Sequence, residues 1–414
     1  MSKNFEFNID NVKNISLEEK VLRQESLNFF NQKGFPSSRL EEWKFSDLNK
    51  IITENFKDLN YTNLSSKNIK FNRIQDFEHN RIELVNGVLT SSNFDHEEKK
   101  NINVLNYKEN KSENISNLNS LMDLNNALSE GGYSLEVMNG YKLKKPLIVY
   151  NYLIGDLKNK IINNKNFIKL HEDTEVCLIE YNIDDSNSSF IKNTFDSISV
   201  NKNASYASYV VQINKSNGLF YKFTKSVLDE RSHYKKYIFS SGLKFNKVEE
   251  QVDLNGQFSN CNIQSALFLS SDEHQEIKTR INHLQPNCES YQNIKNVLSQ
   301  NSKGVYQGKI FVKDVAQKTN AYQLSKGLIL DAASEFDAKP ELEIYADDVK
   351  CSHGSTSGSI DQDAIYYLMT RGISKKDATR LLIKGFLFDV AESIQESRIK
   401  KLIEKILEEQ IYEH

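Results

Sequence analysis

The sequence predicts a mainly β protein with α-helical ends, and three observations carry that prediction. From about residue 131 to residue 355, short runs of β-branched and aromatic residues alternate with Asn, Asp, Gly and Ser. These runs recur at the roughly 8 to 12 residue spacing of successive strands, with no amphipathic helix between them. On either side the apolar residues shift to helical spacing. The expected division is a mostly helical region over 1–130, a β core over 131–355 and a helical domain over 356–414. An immunoglobulin-type sandwich needs only ~100 residues, so this length of strand texture suits a β-helix well. No strict sequence period is visible, however, and sandwich and barrel stay open beside the solenoid on pattern alone.

The elements follow in order. Ser16 and Glu19 form a capping box, after which Leu17, Val21, Leu22, Phe29 and Phe30 keep near-helical spacing until Gly34. Pro36 then breaks the chain, and Trp43, the single tryptophan, is expected to pack on the small helical head. Residues 55–130 are rich in Asn, Ser and Lys and read as surface loops and short helices, with one strand and turn over Arg81–Gly87. Strands are expected at Leu147–Tyr150, Val176–Ile179, Tyr209–Ile213, Ile263–Leu269, Lys309–Val312 and Glu341–Tyr345. Ser359 with Gln362 then opens a helix ending at Gly372, and Ser374 with Asp377 opens a second. A third, from about Glu396, carries Ile399, Leu402, Ile403, Ile406, Leu407 and Ile411 on one stripe.

Composition excludes several function classes. With 38% hydrophobic residues, 23 Phe and 19 Tyr, the chain is too apolar and aromatic for disorder. A net charge of -3 with Lys and Arg spread along the chain gives no basic field for nucleic acid. The opening MSKNFEFNID lacks the apolar region of a secretion signal. No run reaches the ~18 apolar residues of a membrane span, so the expected location is cytoplasmic. The four cysteines, Cys177, Cys261, Cys288 and Cys351, include no C-x-x-C pair, so neither a disulfide framework nor a zinc knuckle is indicated.

The densest constellation is Tyr345-Ala-Asp-Asp-Val-Lys-Cys-Ser-His-Gly354. In a strand, residues two apart share a face, so Cys351 and His353 present a thiol and an imidazole together, half of a soft-metal site. Val349 shares that face, and by the same logic Cys351 reads as a small core residue. Asp347-Asp348 reads as a turn between strands. His283 with Cys288, across a proline turn, is a weaker pair, and His171 and Cys177 weaker still. Gly304-Val-Tyr-Gln-Gly-Lys309 resembles a phosphate loop but has one residue too few between its glycines, and Ile310 where magnesium needs Ser or Thr. Gly354-Ser-Thr-Ser-Gly358 puts Thr356 where a nucleophile elbow needs serine. As a loop before a helix it reads as a weak anion site or a cap.

Gly304–Lys309, Ala316-Gln-Lys-Thr-Asn-Ala-Tyr-Gln323, Lys339–Gly354 and Tyr366-Tyr-Leu-Met-Thr-Arg-Gly-Ile373 together resemble the SufB/SufD family of iron-sulfur cluster assembly proteins, nearly unbroken over about the last 130 residues. Arg39-Leu-Glu-Glu-Trp-Lys-Phe-Ser-Asp-Leu48 resembles the head of the SufD branch. SufB-like members carry an essential cysteine in the strand that here reads Tyr322-Gln-Leu-Ser325, which has none.

The resemblance implies a right-handed parallel β-helix core flanked by helical regions. It implies a heterodimer with SufB through the β-helix edges, a homodimer when SufB is absent, and the SufC ATPase docked on the C-terminal helices, with Leu368, Arg371, Gly372, Ile373 and Leu381 in or behind the docking surface. It also implies a non-catalytic scaffold in which His353, with Cys351 beside it, takes part in a transient iron-sulfur cluster shared with SufB. His353 would be an iron or cluster ligand there, reduced flavin would belong to the whole complex, and no cofactor would be tightly held by the isolated chain. Two other readings stand beside it: a secreted β-helix polysaccharide lyase with Asp347, Asp348 and His353 around calcium, and a purely structural docking protein.

Overall fold

A strand buried on both faces has no polar side to show, and Leu147–Leu153 is buried at all seven positions. The computed structural model describes residues 5–12, 15–61, 72–109, 118–212 and 214–413, and stacks such strands into a parallel β-solenoid of about 8 turns. Ile213, the expected end of one strand, lies outside the described residues. From Tyr133–Val137 onward, successive strands go to two sheets in alternation. Among the described residues the longer sheet has ten strands, ending with Val349–Ser359, and the shorter has nine, ending with Glu335–Ile344. Among the described residues antiparallel pairing is confined to the N-terminal end, between Asn80–Val85 and Val88–Asn93 and between Ile102–Asn106 and Tyr133–Val137.

Most coils turn a corner through a residue in the left-handed region. Asp173, Asn203, Arg231, Phe258, Asn287 and Lys318 occupy one such series, 27 to 31 residues apart, with φ between 53° and 61°. Asn and Asp tolerate this conformation, and Asn203 Nδ2 donates to Asp173 Oδ1 across one step at 2.9 Å. Inside the coils Leu135, Leu178, Tyr206, Ile238, Ile263, Ile277 and Ile294 belong to one apolar column.

Helices cover both outer faces. Helices α1 (Leu17–Lys33), α2 (Leu48–Asn55) and α3 (Ser120–Leu128) share a core with Phe195, Tyr221, Phe223 and Phe245 of the shorter sheet. Three more follow the solenoid: α4 (Gln362–Thr370), α5 (Lys375–Glu392) and α6 (Ser397–Glu413). Leu387, Val390 and Ile403 of α5 and α6 pack with Tyr209, Tyr237 and Phe268 of the longer sheet. Among the described residues no helix is long and apolar enough to cross a membrane.

Several expectations change. Half of the capping box is present, the Ser16 hydroxyl accepting from the Glu19 N–H at 3.1 Å, but the Glu19 carboxylate accepts from Arg23 at 2.9 Å, and Leu17, Val21, Leu22 and Phe29 are exposed. The inner face of α1 holds Leu27, Phe30 and Arg23, whose guanidinium donates to the Ala127 carbonyl at 2.9 Å. Trp43 packs in the core of the head, as expected, and also joins it to the solenoid: its ring centroid is 5.5 Å from that of Tyr221, and Lys247 Nζ lies 3.9 Å from it. Within 55–130, read largely as loops and short helices with one strand over Arg81–Gly87, the described residues contribute three strands to the two sheets, while 62–71 and 110–117 lie outside the described residues. Both glycine motifs lie in strands, Lys303–Val312 and Val349–Ser359, so neither forms an anion-binding loop. Ser359 is the last residue of its strand, and Asp361 caps α4 by accepting from the Asp363 and Ala364 N–H groups.

Candidate functional site at the open end of the solenoid

The last coil has no coil beyond it. Glu335–Ile344 and Val349–Ser359 each end a sheet, so each leaves backbone groups free for another strand. The two edges are not equivalent. Pro340, opposite Gly308, removes a donor from the middle of Glu335–Ile344, and proline inside a sheet is confined to edges of this kind. Val349–Ser359 contains no proline and runs for 11 residues.

Its side chains can be assigned to faces through the register. On the neighbouring strand Thr319, Ala321, Gln323 and Ser325 are buried and lumen-facing, while Tyr322 is exposed. They pair with Val349, Cys351, His353 and Ser355, which therefore turn toward the lumen, and Ser325 Oγ donates to Ser355 Oγ at 3.0 Å. Cys351 packs half-buried with Ile310, Val312, Ala316 and Ala321, and burial raises its thiol pKa, as suits a core residue. His353 is exposed because it stands at the mouth of the lumen.

The other singled-out residues stay apart. His283 is buried in the lumen with a ring nitrogen 2.9 Å from Ser290 Oγ, and burial lowers its pKa to about 3. Cys288 Sγ donates instead to the Gly256 carbonyl at 3.2 Å. Cys177 lies against the helical cover, its thiol pushed up to about 12 by burial, and His171 contacts Glu136 at 2.7 Å. Asp348 lies in the turn before the last strand, its N–H donating to Gln317 Oε1 at 2.9 Å. Among the described residues no three His, Cys, Asp or Glu side chains gather as a metal-ligand group, so the calcium arrangement with Asp347, Asp348 and His353 is not formed.

In the helical tail, Leu368 and Ile373 pack partly buried against Ile360, Ile365 and Ala378. Gly372 takes φ 87° just after the end of α4, and Arg371 stacks on Tyr367 at 5.3 Å. Leu381 is exposed. Beside these residues stand Tyr366, 70% exposed, with Tyr367 and Met369 also exposed, none of which the sequence reading had singled out as a surface. Two adjacent tyrosines in a short amphipathic helix were the available signal, since one helix face cannot bury both.

The fold and this open end define a β-solenoid assembly protein, with strand edges left free for pairing and helices covering its sheets. Residues 152–386 match the family model described as SUF system FeS cluster assembly, SufBD core domain, and the chain belongs to that family. It is 28% identical over 286 residues to the iron-sulfur cluster assembly protein SufD of Escherichia coli, covering 68% of this chain and 67% of that protein. A SufBD family protein of Synechocystis is 24% identical over 410 residues, covering 91% and 88%. The SufB of Bacillus subtilis is 24% identical over 276 residues, covering 65% and 58%.

Proposed function

We propose that this SufD-like chain is a non-catalytic scaffold that pairs with SufB through its terminal coil, docks the SufC ATPase on its helical tail, and contributes His353 to a nascent cluster at the SufB interface in the cytoplasm. The observation that carries this reading is the placement of His353: an exposed imidazole at the open end of the solenoid, on the free-edge strand without proline. The cluster is cargo. Iron-sulfur clusters are usually held by about four ligands, mostly cysteine thiolates, and this face offers one imidazole with a half-buried thiol two residues away. The partner must supply the rest.

The test is co-expression with SufB and SufC, anoxic purification, and iron and sulfide quantification for wild type and His353→Ala. A stable complex that loses most of its cluster in the variant supports the reading, whereas unchanged cluster content reduces His353 to structure. For the tail, Tyr366→Glu with Leu381→Glu should abolish SufC co-purification while the chain stays folded. Retention of SufC would place its docking elsewhere.

A further inference from the structure

The lumen beneath His353 is polar, and its polar groups are joined. Tyr306 Oη lies 3.0 Å from Gln292 Oε1 and 3.1 Å from Gln323 Oε1, sharing one hydroxyl proton between two carbonyl oxygens. Thr279 Oγ1 donates to Gln292 Oε1 and sits 3.2 Å from Tyr306 Oη. The far side of the Gln323 amide is held as well, its Nε2 donating to the Glu341 carbonyl at 3.2 Å. Gln323 is 2% exposed and is gripped at both ends of its amide, so its orientation is fixed.

The register carries this network to the mouth. Gln292, Gln323 and His353 occupy one row of the longer sheet on three successive strands, with neighbouring strands about 4.8 Å apart. The glycine motif that formed no phosphate loop also finds its use here. A Cβ on Gly308 would lie 2.2 Å from both Gln323 Oε1 and Tyr306 Oη. Only glycine leaves room for the bridge between them.

We propose that Gln323 is a positioning residue for His353: the two are register partners, and when the exposed imidazole turns inward over the row, Gln323 Oε1, oriented by Tyr306, accepts the N–H of its inner nitrogen and leaves the outer nitrogen with a free lone pair. This deepens the reading of His353 as a cluster-site residue and rests on it. An amide oxygen has two lone pairs, and the shared Tyr306 proton uses one. Imidazoles that bind metals commonly donate their second nitrogen's proton to a carbonyl or carboxylate, which fixes tautomer and ring orientation.

The test reads the imidazole itself. The full chain is labelled with ¹⁵N-histidine, the His353 signals are assigned by their loss in His353→Ala, and tautomer populations are taken from the ring nitrogen shifts at alkaline pH. Wild type should show one dominant tautomer. Gln323→Leu, which removes the acceptor, should give a mixture. Gln323→Glu, which keeps an acceptor, should restore the single form. Tyr306→Phe removes one hydroxyl three strands before His353 in the chain and should shift the populations toward the mixture; it keeps the test open if Gln323→Leu does not fold. Populations unchanged from wild type in folded Gln323→Leu or Tyr306→Phe would overturn the proposal. Loss of the cluster role would appear separately, as unchanged iron in the His353→Ala complex with the tautomer result still standing.

Discussion

Of the cations that hold the helical head to the solenoid, Lys339 pairing with Glu41 at the surface, Lys247 should be the fully buried one. Its side chain is fully buried, with Nζ 2.7 Å from Glu276 Oε1, within reach of the Glu42 carbonyl, and 3.9 Å from the Trp43 ring centroid. Glu276, equally buried, also accepts from Ser46 Oγ and from Gln307 Nε2 at 2.7 Å. Removing one partner of a buried pair typically costs about 3–5 kcal/mol, because the other charge is left without compensation. Lys247→Met keeps most of the volume and removes the charge, so it should fall in that range. Glu276→Gln should cost less, since the amide can still meet Ser46. Urea unfolding of the two single variants and the double variant forms a cycle. A coupling energy of about 2 kcal/mol or more is expected, since the double variant leaves no buried charge unpaired. Additivity within about 0.5 kcal/mol, the range for independent sites, would refute the claim that this pair is one energetic unit.

Two further predictions concern burial. Glu273 is 6% exposed, and burial raises its pKa to about 7. A carboxyl whose folded pKa lies above its unfolded value of 4.5 stabilises the fold fully below that value, and its contribution is lost as pH rises through 7. The shift of about 2.5 units corresponds to roughly 3 kcal/mol, so Glu273→Gln should flatten the stability profile between pH 4.5 and 7 in urea titrations; an unchanged slope would contradict the burial argument. On α1, Val21→Lys should change stability by no more than about 0.5 kcal/mol, as surface substitutions do. Leu27→Ala should cost about 2–5 kcal/mol, and thermal or urea unfolding of the pair distinguishes the true inner face from the apparent one.

That last contrast shows where the sequence was legible and where it was not. Helix α1 was readable because capping is local: Ser16 and Glu19 are three residues apart, and the hydrogen bond between them depends on little else. Its orientation was not, because the buried face includes Arg23, whose partners Tyr107 and Ala127 are 84 and 104 residues away. The solenoid period was hidden for a related reason. Its corner positions accept Asp and Asn but also Arg231, Phe258 and Lys318, since the stacking of neighbouring coils imposes the left-handed conformation that the residue itself would not choose. The strands between residues 80 and 106 lack long apolar runs because two of them lie at sheet ends, with Val88–Asn93 mostly exposed.

At the candidate site the residue types were readable and the surroundings were not. Alternation placed Cys351 and His353 on one face, and the register bears that out. What separates them is the coil count: Cys351 lies over the small apolar floor of Ala316 and Ala321, whereas His353 lies over Gln323 with nothing above it. No local pattern distinguishes the last coil from the one before it. A longer-range pattern does exist, because Gln292, Gln323 and His353 are separated by 31 and 30 residues, the same interval as the corners. A polar side chain repeated at the coil length inside a solenoid must face the lumen at every repeat, and buried polar groups persist where they are hydrogen-bonded. The row therefore links the interior network to the one member of it that reaches solvent, so changes at Gly308 or Tyr306, both enclosed, should be felt at the open end before they are felt anywhere else on the surface.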